Sequence, residues 1–211
     1  MKKESLIVWG IAVIALAGVV FGIYSMSGRN PNELVLTEPV SISDHTKGNI
    51  QSAVSLVEYG DYQCPACYQY EPLIKKLLLE EGSKFKFVFR DFPLPQHANA
   101  NPAHYAAEAA ALQGKFWEMH DIIYENQLAW SALADAGSTF LEYAKTIGLD
   151  ITQYQRDITS KEVSDRVSKD LASGRASGVN STPTFFLNGK SIKVTSYDQF
   201  KQLIESAAAG S

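Results

Sequence analysis

Cys64 and Cys67 are the only cysteines in the 211-residue chain, and only Pro65 and Ala66 separate them. Two cysteines three positions apart cannot build a framework of bridges, so the spacing points to chemistry rather than scaffold. The pair follows a β-prone run, 53–59, and opens a stretch, 64–81, in which Leu73, Ile74, Leu77 and Leu78 share one helical face. Cys64 therefore falls at a helix N-terminus, where free backbone N–H groups and the positive end of the dipole favour a thiolate. Pro65 suits the first turn, where no N–H is required. A thiol so placed can fall from about 8.5 to a pKa of roughly 3.5–7.5. Each unit of lowering is about 1.4 kcal/mol in favour of the anion. Cys67, one turn along and more enclosed, is the resolving sulfur to an attacking Cys64. The competing readings are a structural pair of buried cysteines and half of a zinc site. Zinc requires two further ligands, and His45, His97, His104 and His120 show no finger-like spacing.

The elements around the pair read as one domain's length. A 45% hydrophobic and 20% charged composition with net charge −4 excludes a disordered tail, a collagen-like fibre and a disulfide-dense mini-protein. The absence of a basic excess argues against nucleic acid as a partner. After the 53–59 strand and the 64–81 helix, residues 85–89 alternate aromatic and polar types and read as a second strand. From about 96 to 178 the pattern is helical. Phe116, Met119 and Ile123 share one face there, and Val163, Val167 and Leu171 another. The alanine-dense stretch 103–111 suits a closely packed helix. A short strand at 184–187, the hairpin signal Asn188-Gly189 and a returning strand at 191–194 follow. A closing helix carries Tyr197, Phe200, Leu203 and Ile204. Strand–helix–strand implies a parallel pair with a right-handed crossover, and the hairpin adds antiparallel strands. The expected fold is α/β: a small mixed sheet flanked by helices, with a helical insertion.

The first residues stand apart from that domain. Residues 1–5 form a charged lead, and 6–24 carry no charge. At about 1.5 Å per residue those nineteen residues span roughly 28 Å, one hydrocarbon thickness. Trp9 and Tyr24 sit near its ends, and Lys2 and Lys3 belong on the cytoplasmic side. The expectation is a single-pass transmembrane helix with the rest of the chain extracytoplasmic. A cleaved signal peptide, cut near Ser25-Met26-Ser27, is the competing reading. Residues 25–36 read as a linker and 37–211 as the folded domain.

The segment Tyr59-Gly60-Asp61-Tyr62-Gln63-Cys64-Pro65-Ala66-Cys67 resembles the active site of the DsbA-like thiol–disulfide oxidoreductases, which have a thioredoxin fold. Ser181-Thr182-Pro183-Thr184-Phe185-Phe186 resembles their cis-proline loop. Arg90-Asp91-Phe92-Pro93-Leu94 and Gly114-Lys115-Phe116-Trp117 are similar to further family segments. The likeness runs from about Asp44 to the C-terminus. It implies a redox-active Cys64–Cys67 disulfide and a cis Thr182–Pro183 peptide facing the cysteines. Pro183 would remove a backbone donor there, and the Thr182 backbone would pair with an extended substrate. It implies no cofactor and no metal. Glu58, six positions before Cys64, matches an acid carried by similar members. Buried beneath the helix, it would have a raised pKa and relay a proton to or from Cys67. Pro72 reads as an architectural kink in the active-site helix. His97 reads as a solvated loop histidine, with stabilisation of the Cys64 thiolate as the alternative.

The direction of exchange follows reduction potential, about 30 mV for each 1.4 kcal/mol. A stabilised Cys64 thiolate makes the disulfide more oxidising. Ala66, however, supplies no imidazole where the most oxidising members tend to carry histidine, and Thr182 also occurs in reductases and isomerases. Export argues for oxidation, and the span between Tyr24 and Ala53 is too short for the separate dimerisation domain of known isomerases. The expectation is a monomeric, membrane-tethered oxidase that introduces disulfides into reduced exported proteins. The resemblance implies reoxidation by a membrane quinone-linked thiol oxidase. The alternatives are a tethered reductase or isomerase using the same cysteines, and a non-catalytic thioredoxin-fold binding module.

Overall fold

The computed structural model describes residues 33–210 together with Gly18. Apart from Gly18, the segment expected to span a membrane, 6–24, lies outside the described residues. Among the described residues no helix is long and apolar enough to cross a bilayer.

The elements run β1 (His45–Gly48), β2 (Ser55–Gly60), α1 (Pro65–Glu81), β3 (Lys86–Asp91), α2 (Ala100–Ala111), α3 (Phe116–Glu125), α4 (Gln127–Trp130), α5 (Gly137–Thr146), α6 (Ile151–Asp157), α7 (Lys161–Ala176), β4 (Thr184–Leu187), β5 (Lys190–Ile192) and α8 (Tyr197–Ala209). The strands form one sheet in the order β1-β3-β2-β4-β5. β2 and β3 are parallel, and every other pairing is antiparallel. This mixed sheet with helices on its faces is a thioredoxin fold, with α2 to α7 inserted between β3 and β4.

β2 is covered on both sides, which is why it reads as a near-continuous apolar run. Leu56 belongs to the larger core with Phe87, Phe89, Phe185 and the inward residues of α1. Val57 and Tyr59 point the other way, into a smaller core with Val88, Phe186 and Val179. Period-two alternation therefore puts Glu58 on the Leu56 face, beneath α1. The buried residues of α1 are Cys67, Glu71, Ile74, Leu77 and Glu81, a stripe at helical spacing. The hairpin turn has positive φ at Asn188 (49°) and Gly189 (81°), as a two-residue primed turn requires.

The sheet has one strand more than the sequence reading provides. β1 (HTKG) shows no apolar alternation. Its strand state comes from tertiary partners. It pairs with β3 (His45 opposite Phe89), stacks His45 on Phe116 with ring centroids 3.5 Å apart, and accepts the Trp117 indole N–H at the Thr46 carbonyl. The linker also ends sooner than expected. Leu36 N–H donates to the Gly189 carbonyl (2.8 Å), Ser191 N–H donates to the Leu34 carbonyl (2.9 Å), and both leucines pack on the smaller core. The packed unit thus begins at Leu34 rather than at residue 37. Pairing also carries β2 and β3 past the expected ends at 59 and 89, with Gly60 opposite Asp91. The returning strand is 190–192 rather than 191–194.

α7 approaches the smaller core closely at Gly174. A Cβ there would lie 2.6 Å from Phe92 Cδ2 and 2.9 Å from Tyr59 Cδ1. Gly174→Ala is expected to lose about 1–3 kcal/mol by overpacking, more than the roughly 1 kcal/mol that alanine gains in a helix. The urea midpoint reads this directly, and an unchanged or raised midpoint would contradict the close approach.

Candidate active site

The chain leaves β2 through a tight loop and enters α1 at Cys64. That residue is the helix N-cap, extended at φ −70° and ψ 122°, with Pro65 in the first turn. Asp61 shapes the loop. Its Oδ1 accepts the Gln63 N–H (2.8 Å), its carbonyl accepts the Cys64 N–H (3.0 Å), and its Oδ2 accepts the Leu94 N–H (2.8 Å). The insertion grips the same loop. Gln127 Nε2 donates to the carbonyls of Tyr62 (2.8 Å) and Cys64 (3.0 Å), and Gln63 Nε2 donates to that of Ser131 (2.7 Å). The two cysteines are free thiols. Cys64 is 6% exposed and Cys67 1%.

These two thiols have opposite acidities. Cys64 is lowered to about 5. The Cys67 side chain, hydrogen-bonded to it, is the largest cause. Burial opposes the lowering, and the Thr182 side chain and the backbone N–H groups of Cys67 and Ala66 add to it. The helix amides named by the sequence reading thus contribute, but the neighbouring sulfur contributes more. Cys67 is pushed well above the ordinary thiol range by burial, by its bond to Cys64 and by the nearby Glu58. The Asp61 N–H points at its sulfur from 3.5 Å.

The Thr182–Pro183 peptide is cis, and it lies against the cysteines. Cys64 Sγ–H donates to the Thr182 carbonyl at 3.4 Å. Once ionised, that sulfur can only accept. The Thr182 hydroxyl, buried and without another partner, is then the available donor.

Glu58 is 3% exposed, so it does not face solvent at the strand end. Burial, Glu71 and Cys64 together raise its carboxyl well above the usual range. The structure thus gathers Cys64, Cys67, Thr182, Pro183 and Glu58 at one end of the sheet. His97 is half-anchored there, with Nδ1 2.7 Å from the fully buried Asp61 Oδ2. It is tied to the loop before Cys64 rather than being a free loop residue.

Two site residues escaped the sequence reading. Asp61 carried a local signal, since an aspartate two residues before an N–H it can accept is an Asx turn. Glu71 carried one as well, as one of two glutamates on the inward stripe of α1, one turn after Cys67. Its carboxylate, His120 and Asp121 bring ligand-type atoms within 4.8 Å of one another. Lys47 Nζ, however, lies 3.1 Å from Asp121, and Lys75 Nζ lies 3.8 Å from both Glu71 and Asp121. Two lysines already supply the positive charge, and the cluster is an ion-pair network.

Comparison with known proteins adds to this geometry. A family model described as Thioredoxin matches residues 41–206. The Na(+)/H(+) antiporter NhaA 3 of Salinispora tropica is 38% identical over 148 residues, covering 70% of this chain and 22% of the antiporter. The chain spans about a quarter of the length of the curated relatives it matches. Among solved structures, BdbD of Bacillus subtilis, in its oxidised form, aligns with TM-score 0.73 at 24% identity, covering 84% of this chain and 100% of that one. The thiol-disulfide exchange protein alpha-DsbA2 of Wolbachia pipientis aligns with TM-score 0.68 at 21% identity, covering 79% and 88%. At these identities the likeness establishes the fold.

Two measurements probe the electrostatics. Thr182→Val removes the hydroxyl donor but keeps the shape, so the Cys64 thiol is expected to titrate above the wild-type value near 5, read by ultraviolet thiolate absorbance; an unchanged curve would remove Thr182 from the site. Glu58 keeps its proton in the fold at pH values where the unfolded chain, near the ordinary 4.5, has lost it. A raised carboxyl therefore costs no stability below that pH and progressively more above it. Glu58→Gln is expected to match wild type in denaturant titrations at pH 4 and to exceed it at pH 7. Parallel curves at both pH values would mean that Glu58 is ionised in the fold.

Proposed function

The chain belongs to the thioredoxin family by the match over residues 41–206, and from that premise we propose that it is a thiol–disulfide oxidoreductase working through Cys64 and Cys67. The observation that carries this reading is the opposed acidity of two sulfurs within one turn. Cys64 is a thiolate at neutral pH, while its buried partner stays protonated. In the oxidised enzyme a substrate thiolate attacks Cys64 Sγ, and the Cys64–Cys67 bond breaks with its electron pair going to Cys67. A second substrate thiolate then attacks the mixed disulfide and releases Cys64 as a stabilised thiolate. The substrate loses two electrons and the enzyme gains them. Glu58 supplies the proton that Cys67 takes up on leaving. Thr182 steadies the Cys64 anion, and Pro183, which lacks an N–H, offers no competing donor beside it.

We infer the direction to be oxidation of exported proteins. The leaving-group stability of Cys64 favours it, and the uncharged, membrane-length segment 6–24 supports an extracytoplasmic, membrane-anchored domain. A membrane quinone-linked thiol oxidase is the matching source of oxidising equivalents, and the domain works as a monomer. Ala66, which brings no imidazole to the pair, favours a weaker oxidant and keeps the reductase or isomerase reading as the alternative.

The equilibrium potential against glutathione separates these directions. A value near −120 mV marks an oxidase, and one near −270 mV a reductase. Cys64→Ser is expected to abolish exchange, and Cys67→Ser to accumulate mixed disulfides with substrate on non-reducing gels. Full activity in Cys64→Ser, with no adducts on Cys67→Ser, would invalidate the redox assignment.

A further inference from the structure

Opening the disulfide puts a negative charge on a sulfur that is sealed from water. Cys67 is 1% exposed, and burial, Cys64 and Glu58 all resist a thiolate there. The Asp61 N–H, 3.5 Å from Cys67 Sγ, works the other way and favours the anion. That donor belongs to a residue held from several sides. The Asp61 carbonyl accepts the Cys64 N–H at 3.0 Å, and its buried carboxyl accepts the N–H groups of Gln63 and Leu94, one on each oxygen. A carboxyl so engaged is the acceptor in any further bond, so His97 Nδ1, 2.7 Å from Oδ2, is the donor. His97 is itself fixed in the loop after β3. Its N–H donates to the Leu94 carbonyl (3.0 Å), and its carbonyl accepts the Ala100 N–H (3.2 Å). A buried carboxyl left short of donors is costly, so the imidazole helps to hold Asp61 in this arrangement.

We propose that the Asp61 N–H is the donor that receives the charge developing on Cys67 as the disulfide opens, and that His97 is the positioning residue that aims it through the Asp61 carboxyl. This rests on the exchange reading of the cysteine pair and deepens it. A substrate thiolate attacks Cys64 Sγ, a new sulfur–sulfur bond forms, and the Cys64–Cys67 bond breaks with its electron pair going to Cys67. The substrate sulfur is oxidised and Cys67 reduced, so the negative charge passes from the attacking sulfur to the buried one. The Asp61 N–H keeps its own proton and meets that charge with a dipole already in place, until Cys67 is protonated. Closing the disulfide draws on the same donor, since Cys67 must then attack as a thiolate. His97 acts at one remove. Its imidazole and the Leu94 N–H share Oδ2, Oδ1 holds the Gln63 N–H, and together they fix the turn from which the Asp61 N–H projects. The Asn99 N–H bond to Gln63 Oε1 (2.7 Å) joins the same two loops independently, so loss of the imidazole re-aims the donor without parting the loops.

The test is single-turnover opening of the oxidised full chain by dithiothreitol, read beside the equilibrium constant with glutathione. His97→Leu is expected to slow opening about tenfold, less than the roughly hundredfold or greater loss that follows outright removal of a charge-stabilising donor. The equilibrium constant is expected to keep its wild-type value, because neither end state carries a thiolate on Cys67. His97→Asn places an amide donor where Nδ1 stood and is expected to restore most of the rate. His97→Gln, whose amide matches Nε2 instead, keeps the polarity of the site and is expected to stay slow; it stands in for His97→Leu should that variant not fold. Asp61→Asn retains an acceptor for Gln63 but turns an amide donor toward Leu94 and His97, and is expected to be as slow as His97→Leu. The double variant is expected to be no slower than either, as coupled residues require. Wild-type rates in the His97 and Asp61 variants overturn the proposal. Slowing that comes with a shifted equilibrium constant assigns the pair to the Cys64 cap and also overturns it, as do losses that add in the double variant. A wild-type disulfide opened no faster than that of oxidised glutathione overturns the exchange reading, and the donor's role with it.

Discussion

The hydrogen bond between the Cys67 and Cys64 sulfurs is the interaction on which this site depends. Burial already raises Cys67, and this bond widens the gap by lowering Cys64. Here one caps the helix against the Thr182 segment, and the other is sealed under the helix with a carboxyl near it. The shared proton therefore belongs to Cys67. In the proposed exchange, that asymmetry makes one sulfur the point of attack and the other the group that leaves, with no charged neighbour in the intervening dipeptide. The loop through Asp61 and the Thr182 segment serve this bond. One holds the cap in place, and the other lies against the sulfur that carries the negative charge.

The carboxyl beneath the pair comes at a cost to the fold. Glu58 interrupts the buried face of β2 between Leu56 and Gly60, directly opposite Phe89 and Phe185 in the sheet register. An apolar residue would pack there without a desolvation penalty. Keeping an acid at that point holds a proton in the interior, beside the one sulfur that cannot reach water. The local rule of apolar strands is broken where the proposed exchange calls for a proton.

Much of this was legible in the residues themselves. The cysteine spacing, the strand before it and the proline after Cys64 specified a reactive sulfur at a helix cap, and the run around β2 announced a central strand because it is covered on both faces. What escaped was whatever depends on distant partners. β1 has no pattern of its own and exists through Phe89, Phe116 and Trp117. The pairing of His97 with Asp61 joins positions 36 apart, and nothing in the loop around His97 names its partner. The importance of the neighbouring thiol relative to the helix amides is a matter of sulfur geometry, which spacing alone does not convey. Glu71 looked like one more helical glutamate until α3 covered it.

Gln127 is the feature with the widest reach. A single side-chain amide from the inserted helices spans the carbonyls on either side of Gln63 and so clamps the cap from above. The sulfur pair is thereby stitched to two separate parts of the polypeptide, the sheet below and the insertion above. Any shearing of that helical lobe would tug on the peptide units around the two sulfurs, through Gln127 and through the bond from Gln63 to Ser131.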